Sequence, residues 1–379
     1  MSDAPWQILV VDDDPIICRQ IKQGLDNETL GNKYALRVIT TQKFNEALSI
    51  LETSKIDIVI LDVRHDEDDG GEESGIKTLN DIKATRFVPV IFYTGNQTLV
   101  NSLESKVIRI VEKTQKIPGI EAALLEILDD GIPAANRAIL RHVEHAQRDF
   151  MWKLPEILAR YKQSADKLSI AFLMARRLAS SLEEDRVDHL AKEMGHTGDL
   201  LMDGETVHPM FFYIIPPIDG AIRTGGIYRD PNVVHWVVMT NACDLELRED
   251  KKTKVLARNA EHILLARCRI FAEEPEYAAW KAKPNDKDTV ERFHKLIKNN
   301  RGGGQPERFF FLPAGLDFPD LVVDVQNTKV VSADDLSQSA CLANIDSPYL
   351  ESLIARFTRY YARIGTPDIN IDAVIRRFK

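Results

Sequence analysis

The run Ile58-Val59-Ile60-Leu61 stops abruptly on Asp62, and no other stretch constrains the fold as much. Four consecutive apolar residues carry no amphipathic period, so the run reads as a strand buried on both faces, as in a parallel sheet. A carboxylate at the C-terminal end of such a strand lies where open α/β sheets place their chemistry. Three further runs end in the same way. Ile8-Leu9-Val10-Val11 ends on Asp12 and Asp13, Val88 to Tyr93 ends on Thr94, and Val107 to Val111 leads to Lys113. Acids, a hydroxyl and a lysine at successive strand ends make one site.

Helical patterns separate these strands. Pro15 suits a first helical turn and is followed by Ile17, Ile21 and Leu25 at helical spacing. Tyr34 to Ile39 reads as a second strand, Thr41 as an N-cap, and Phe44, Ala47, Leu48 and Leu51 as one helix face. Helices are expected around Gly75 to Thr85, briefly after Thr94, and from about Pro118 to Leu128. Five strands alternating with five helices predict a flavodoxin-like, doubly wound parallel sheet over residues 1–130.

This segment resembles the receiver domain of two-component response regulators. The resemblance rests on Val10-Val11-Asp12-Asp13-Asp14-Pro15, the Leu61-Asp62 strand end, Tyr93-Thr94-Gly95 and Lys113, in the family's order and near its spacing. It implies that Asp62 accepts a phosphoryl group from a histidine kinase or phosphotransfer partner. It also implies Mg2+ held by Asp13 and Asp62, with Asp12 beside them and the Arg64 backbone carbonyl as a further ligand, and Thr94 and Lys113 contacting the phosphoryl oxygens. The residue types fit that chemistry independently: a nucleophilic carboxylate, and oxygen ligands for a hard cation that offsets its charge.

Three departures bear on how the site is read out. The family's aromatic position three residues before the lysine is Ile110, and the usual proline after the lysine is Thr114. The loop from Arg64 to Gly75 is long and acidic. Asp66 and Asp68 alternate there as in a calcium loop, but Gly70 stands in the next ligand place and no glutamate follows at the required distance. The loop reads as a solvated cover or a partner-recognition element beside Asp62.

Composition limits what the remainder can be. The 379 residues are enough for two or three domains, and a net charge of -9 argues against a protein that coats nucleic acid along its whole surface. No apolar stretch is long enough for a membrane span and no leader is evident, so a cytoplasmic protein is expected. Cys18, Cys243, Cys268 and Cys341 are widely spaced, which fits reduced thiols.

Gly131-Ile132-Pro133 breaks the last receiver helix. Two amphipathic helical runs come next, one from Ile139 to Tyr161 bent at Pro155 and another from about Ala165 to Met194. Residues 131–204 are therefore expected to form an all-α linker that mediates a homodimer or packs on the C-terminal domain. His142, Glu144 and His145 lie on it without a matching second ligand pair and read as solvent-facing.

From Glu205 to Lys379 short strands recur between turns, among them Pro209 to Ile215, Leu321 to Val325 and a separate short one at Lys329-Val330-Val331, and a small β-barrel-type domain with a C-terminal helix is expected. The Gly302 to Gly304 turn lacks the P-loop pattern and reads as a flexible loop. Cys243, Asp244 and His235 invite comparison with a thiol nucleophile and its helpers, though a lone strand-end Cys is more often packing. Gly226-Ile227-Tyr228, Trp236 to Asn241, and Val322 to Val331 ahead of Asp335-Leu336 are similar to the SH3-like barrel of the MazF/PemK toxin ribonucleases. The basic residue those enzymes carry beside the strand matching Trp236 to Thr240 is absent.

Together these features point to a response regulator with a non-standard output module. The alternatives are a receiver-gated MazF/PemK-like ribonuclease and a pseudo-receiver adaptor. A transcription factor is disfavoured because no helix-turn-helix with a basic recognition helix is visible.

Overall fold

In the computed structural model the chain divides into two compact units, Met1–Leu200 and Leu201–Lys379. The structure describes residues 4–63, 74–161, 167–180, 191–192, 194, 196, 207–249, 254, 256–301, 307–363 and 369–378. Among the described residues no helix is long and apolar enough to cross a membrane.

The first unit is built on β1 (Trp6–Val11), β2 (Thr29–Leu30), β3 (Tyr34–Thr41), β4 (Ile58–Leu61), β5 (Val90–Thr94) and β6 (Ile108–Glu112), in the spatial order β2-β3-β1-β4-β5-β6. The strands from β3 to β6 are all parallel, as the unbroken apolar runs predict, and β2 adds a short antiparallel edge. Alternation along β1 splits the core. Ile8 and Val10 face α1 (Pro15–Leu25) and α4 (Lys116–Asp129), whereas Leu9 and Val11 face α2 (Phe44–Thr53) and α3 (Ser74–Thr85). Asp14, not a more distant residue, caps α1 by accepting from the Ile16 N–H.

One expected helix is absent. Between β5 and β6 the chain makes two 3-10 turns, Gln97–Leu99 and Asn101–Leu103. Asn96 caps the first through Thr98, and Ser105 bridges to Ile108, so the short connection is spent before an α-helix can propagate.

Beyond Gly131 the sequence continues into α5 (Ile132–Tyr161), with Pro155 inside it, and α6 (Lys167–Ser180). The second helical run is described as far as Ser180; most of its continuation towards Met194 lies outside the described residues. Rather than leaving the receiver as a free stalk, α5 is tied to it at its first turns. Arg137 makes a two-point pair with Asp57, at 3.2 and 2.6 Å, and its guanidinium stacks 3.8 Å from the Trp6 ring centre. It also donates to the carbonyls of Ala4 and Pro5, while Lys55 meets Glu144 at 2.8 Å.

The second unit carries a seven-stranded sheet in the order β13-β14-β12-β9-β8-β15-β7. Its strands are β7 (Tyr213–Ile214), β8 (Gly226–Arg229), β9 (His235–Val238), β12 (Ile263–Ile270), β13 (Phe309–Leu312), β14 (Leu321–Val331) and β15 (Ala340–Ile345), and β10 (Arg248–Glu249) pairs separately with β11 (Leu256–Ala257). All its pairings are antiparallel. Among the described residues nothing joins β13 to β7, so the sheet is an open half-barrel where a closed small barrel was expected.

Two local readings also change. Pro209 to Phe212 forms a 3-10 turn before the short β7, because the proline fits a helical first turn and lacks a ladder N–H. The separate strands expected around Val325 and Val330 are one strand, β14, whose register shift opposite Ala266 and Arg267 absorbs the irregularity. The expected Gly302 to Gly304 turn lies outside the described residues. The helix Tyr349–Tyr361 covers one face of the sheet through Leu353 and Tyr360.

Arg137 is largely buried and satisfies both oxygens of Asp57, so Arg137→Ala is expected to cost about 2–3 kcal/mol. Urea unfolding of the wild type, Arg137→Ala, Asp57→Ala and the double variant measures this. A single-variant cost under about 0.5 kcal/mol would reduce the pair to an ordinary surface contact.

Candidate functional site

The C-terminal ends of the parallel strands converge because their register is tight. Val11 lies beside Leu61, Leu61 beside Phe92, and Thr94 beside Glu112, so the residues that follow or end these strands meet at one edge. This edge is also the switch point of the sheet, since the chain passes from β1 outward to β3 and then returns to β4 on the other side.

Asp12, Asp13 and Asp62 form the acidic group, each offering one carboxylate oxygen within 4.8 Å of those of the other two. Asp12 and Asp62 are buried, at 1% and 7% exposure, whereas Asp13 is exposed. Lys113 reaches between the two buried acids. Its Nζ lies 3.0 Å from Asp12 Oδ2 and 3.0 Å from Asp62 Oδ1. Asp12 Oδ1 also accepts the Asp14 N–H at 2.9 Å, and Asp62 is pinned through its backbone N–H to the Val11 carbonyl.

Thr94, buried to 1% exposure, accepts the Asn96 N–H at 3.0 Å, which leaves its hydroxyl proton to donate elsewhere. The structure thus brings together Asp12, Asp13, Asp62, Thr94 and Lys113. The Arg64 carbonyl and the acidic loop, with its calcium-like alternation, lie outside the described residues.

Burial dominates the electrostatics. Each Lys113 contact is worth on the order of 5 kcal/mol at an effective dielectric of roughly 20, yet desolvation still pushes both the Asp12 and Asp62 carboxyls above their ordinary range. Burial also opposes the Lys113 charge, but the two carboxylates outweigh it and hold its pKa up. Three carboxylates therefore share the pocket with the Lys113 ammonium.

Several supporting residues were not assigned from the sequence. Gly75 packs on the backbone after β4, where a Cβ would run into the Asp62 carbonyl oxygen. Tyr93 donates its hydroxyl to the Lys113 carbonyl at 3.3 Å and so anchors the backbone of the lysine. In place of the family's proline, Gln115 Oε1 accepts the Glu112 N–H and Thr114 donates to Glu112, closing a 3-10 turn over Lys113–Gln115. Ile110, at the departed aromatic position, pairs with Phe92 inside the sheet. The glycine and tyrosine could have been suspected from their positions beside the motif; their contacts required the fold.

The other sequence candidates do not assemble. Cys243 is exposed in the short helix Ala242–Leu245 after β9, whereas His235 is buried at the strand's start. At about 3.3 Å per strand residue these groups stand at opposite ends of β9. Glu144, between His142 and His145, is engaged by Lys55.

With this geometry in place, comparison with known proteins is informative. Residues 8–125 match the response regulator receiver domain, and the N-terminal third of the chain is such a domain. A relative is the transcriptional regulatory protein GlrR of Escherichia coli, 29% identical over 133 residues, which are 35% of this chain and 27% of that protein. The match therefore spans about a quarter of the relative's length. Among solved structures, a CheY-like receiver domain from Methylobacillus flagellatus is 20% identical and covers 33% of this chain and 99% of its own, with a TM-score of 0.26. The response regulator TrrA of Thermotoga maritima, solved with Mg2+ and BeF, is 24% identical and covers 32% and 98%, with a TM-score of 0.27.

The raised carboxyls give a signed pH dependence. The folded chain binds protons at Asp12 and Asp62 more readily than the unfolded one, so this contribution to stability is complete below the unfolded value near about 3.9 and is lost as pH rises through the folded values. Urea unfolding without divalent cations is expected to show the loss as pH rises above the unfolded carboxylate value near about 3.9, and Asp12→Asn is expected to flatten it. An identical slope in Asp12→Asn would remove Asp12 from the titration.

Proposed function

We propose that this chain is a signal-transduction response regulator in which Asp62 accepts a phosphoryl group from a histidine kinase or phosphotransfer protein. The observation that carries this reading is the position of Lys113 Nζ, 3.0 Å from both Asp12 and Asp62. In the proposed step an Asp62 carboxylate oxygen bonds to phosphorus as the bond from phosphorus to the donor's imidazole nitrogen breaks, and that nitrogen keeps the electron pair. Lys113 then shifts to pair with a phosphoryl oxygen, and Thr94 donates its hydroxyl to another.

The donor set fits magnesium. Asp12, Asp13 and Asp62 offer only oxygen ligands, which suits a hard cation, and the Arg64 carbonyl is assigned as a further ligand by resemblance. When bound, Mg2+ supplies neutralisation of the charge on nucleophile and phosphoryl group.

In this reading residues 1–130 are the phosphoacceptor, 131–204 a helical linker and dimerisation segment, and 205–379 the effector. A second copy of the chain is favoured as the partner of the linker because Trp152, Leu168 and Phe172 are 79%, 66% and 64% exposed. Trp152→Glu with Phe172→Glu is then expected to shift the sedimentation coefficient from dimer to monomer. An unchanged value would leave the linker without that role. For the output, an adaptor is favoured over a ribonuclease, since the basic residue that the MazF/PemK enzymes carry beside the strand matching Trp236 to Thr240 is not evident here.

Incubation of the chain with magnesium and a small phosphodonor or a cognate kinase, followed by intact-mass measurement, tests the main reading. A single phosphoryl adduct is expected on the wild type and none on Asp62→Ala or after chelation of the metal. An adduct that persists on Asp62→Ala would take the role from Asp62.

A further inference from the structure

Lys113 holds its ammonium against Asp12 and Asp62 at the end of a flexible four-carbon stem, so the placement of its backbone decides where the charge arrives. That backbone opens the 3-10 turn Lys113–Gln115. Two side-chain bonds close the turn, from the Glu112 N–H to Gln115 and from the Thr114 hydroxyl to Glu112. Both lie at the exposed surface, where water competes for the partners.

Tyr93 supplies a contact from the interior. It is 5% exposed, its ring packs in the apolar core that α1 and α4 cover, and its hydroxyl donates to the Lys113 carbonyl at 3.3 Å. The same carbonyl accepts the Lys116 N–H, so both of its lone pairs are used. A carbonyl only accepts, which makes the phenol the donor, and burial raises the phenol above its ordinary value, so it keeps the proton it donates.

Register explains the reach. Tyr93 lies beside Val111, and Lys113 follows two residues on, about 6.6 Å at roughly 3.3 Å per strand residue, a step that a phenol spans and a valine or isoleucine does not. The ammonium lies 5.9 Å from the ring centre, at the outer edge of cation–π distance. One side chain thus holds the lysine's backbone and borders its charge. Thr94 is the next residue at the end of β5, so a single strand end carries both this phenol and the Thr94 hydroxyl.

We propose that Tyr93 is a positioning residue for phosphoryl transfer to Asp62: its hydroxyl fixes Lys113 so that the ammonium reaches one phosphoryl oxygen while Thr94 reaches another. This role rests on the phosphoacceptor reading of Asp62. The oxygens of one phosphoryl group stand in fixed geometry, so a small shift of Lys113 with Thr94 unmoved weakens the stabilisation of the transition state. Tyr93 acts through Lys113 and exchanges no proton with the phosphoryl group.

Tyr93→Phe keeps the ring and removes the hydroxyl. Intact mass of the full chain, followed over time with magnesium and saturating phosphoramidate, is expected to show phosphorylation about two- to tenfold slower than in the wild type, the range that one lost neutral hydrogen bond allows. Brief acetylation without phosphodonor, read lysine by lysine from peptide masses, is expected to label Lys113 several-fold faster in Tyr93→Phe and the other lysines at the wild-type rate. Tyr34→Phe is the matched control, because its hydroxyl leaves the same core to meet Asp129 at 2.7 Å, on another contact. It is expected to lower the unfolding temperature without slowing phosphorylation or speeding the labelling of Lys113. An unchanged phosphorylation rate in Tyr93→Phe, unchanged labelling of Lys113, faster labelling of every lysine, or equal slowing in Tyr34→Phe overturns the positioning role and leaves Asp62 as the acceptor. No adduct on the wild type removes the acceptor reading and this role with it.

Discussion

One ammonium group held between two buried carboxylates organises the first unit. Lys113 lies 3.0 Å from both Asp12 and Asp62, and each acid would be an unpaired buried charge without it. Burial nonetheless still raises both carboxyls, and the Asp13 carboxylate lies beside them. A site so poised favours the arrival of positive charge and of groups that can take Lys113 as a partner. The scaffold around it is correspondingly stiff: β1, β4 and β5 are buried on both faces, and their register sets where the polar residues emerge.

Stiffness extends past the receiver's last helix. Arg137 joins α5 to Asp57, Trp6 and the chain's first described carbonyls, so the start of the helical segment belongs to the receiver unit mechanically. Asp57 stands just before β4 and Asp62 just after it. The clamp is therefore at the opposite end of that strand from the acidic pocket, and any coupling between them must run through the packed sheet, not through direct contact. Tyr93 offers one element of such a path, since it borders Thr94 in sequence and anchors Lys113 by its hydroxyl, whereas the departed aromatic position, Ile110, is a strand residue.

The second unit illustrates how a bland local pattern acquires a cavity through topology. Asn344 in the sequence is an unremarkable polar residue in an apolar strand, and Gly226 a glycine at a strand start. Their pairing across β15 and β8 buries an amide oxygen against the Gly226 backbone, and a turn well before Asn344 in the chain brings Arg258 and Leu245 to one cavity. None of these residues has a motif. The half-barrel sheet likewise depends on where strands stop pairing, which alternation of apolar residues does not encode.

What the sequence by itself determined was the receiver: apolar runs too short and too uniform for helices require buried parallel strands, and residues that end such strands must share one edge. Asp12, Asp13, Asp62, Thr94 and Lys113 were legible for that reason. The tertiary structure alone decided the rest. It placed Gly75 under Asp62, replaced an expected helix by two 3-10 turns, merged two strand signals into β14, and separated Cys243 from His235. These outcomes turn on long-range packing and register, where the energy lies in contacts between residues distant in the chain and local pattern carries no record of the partner.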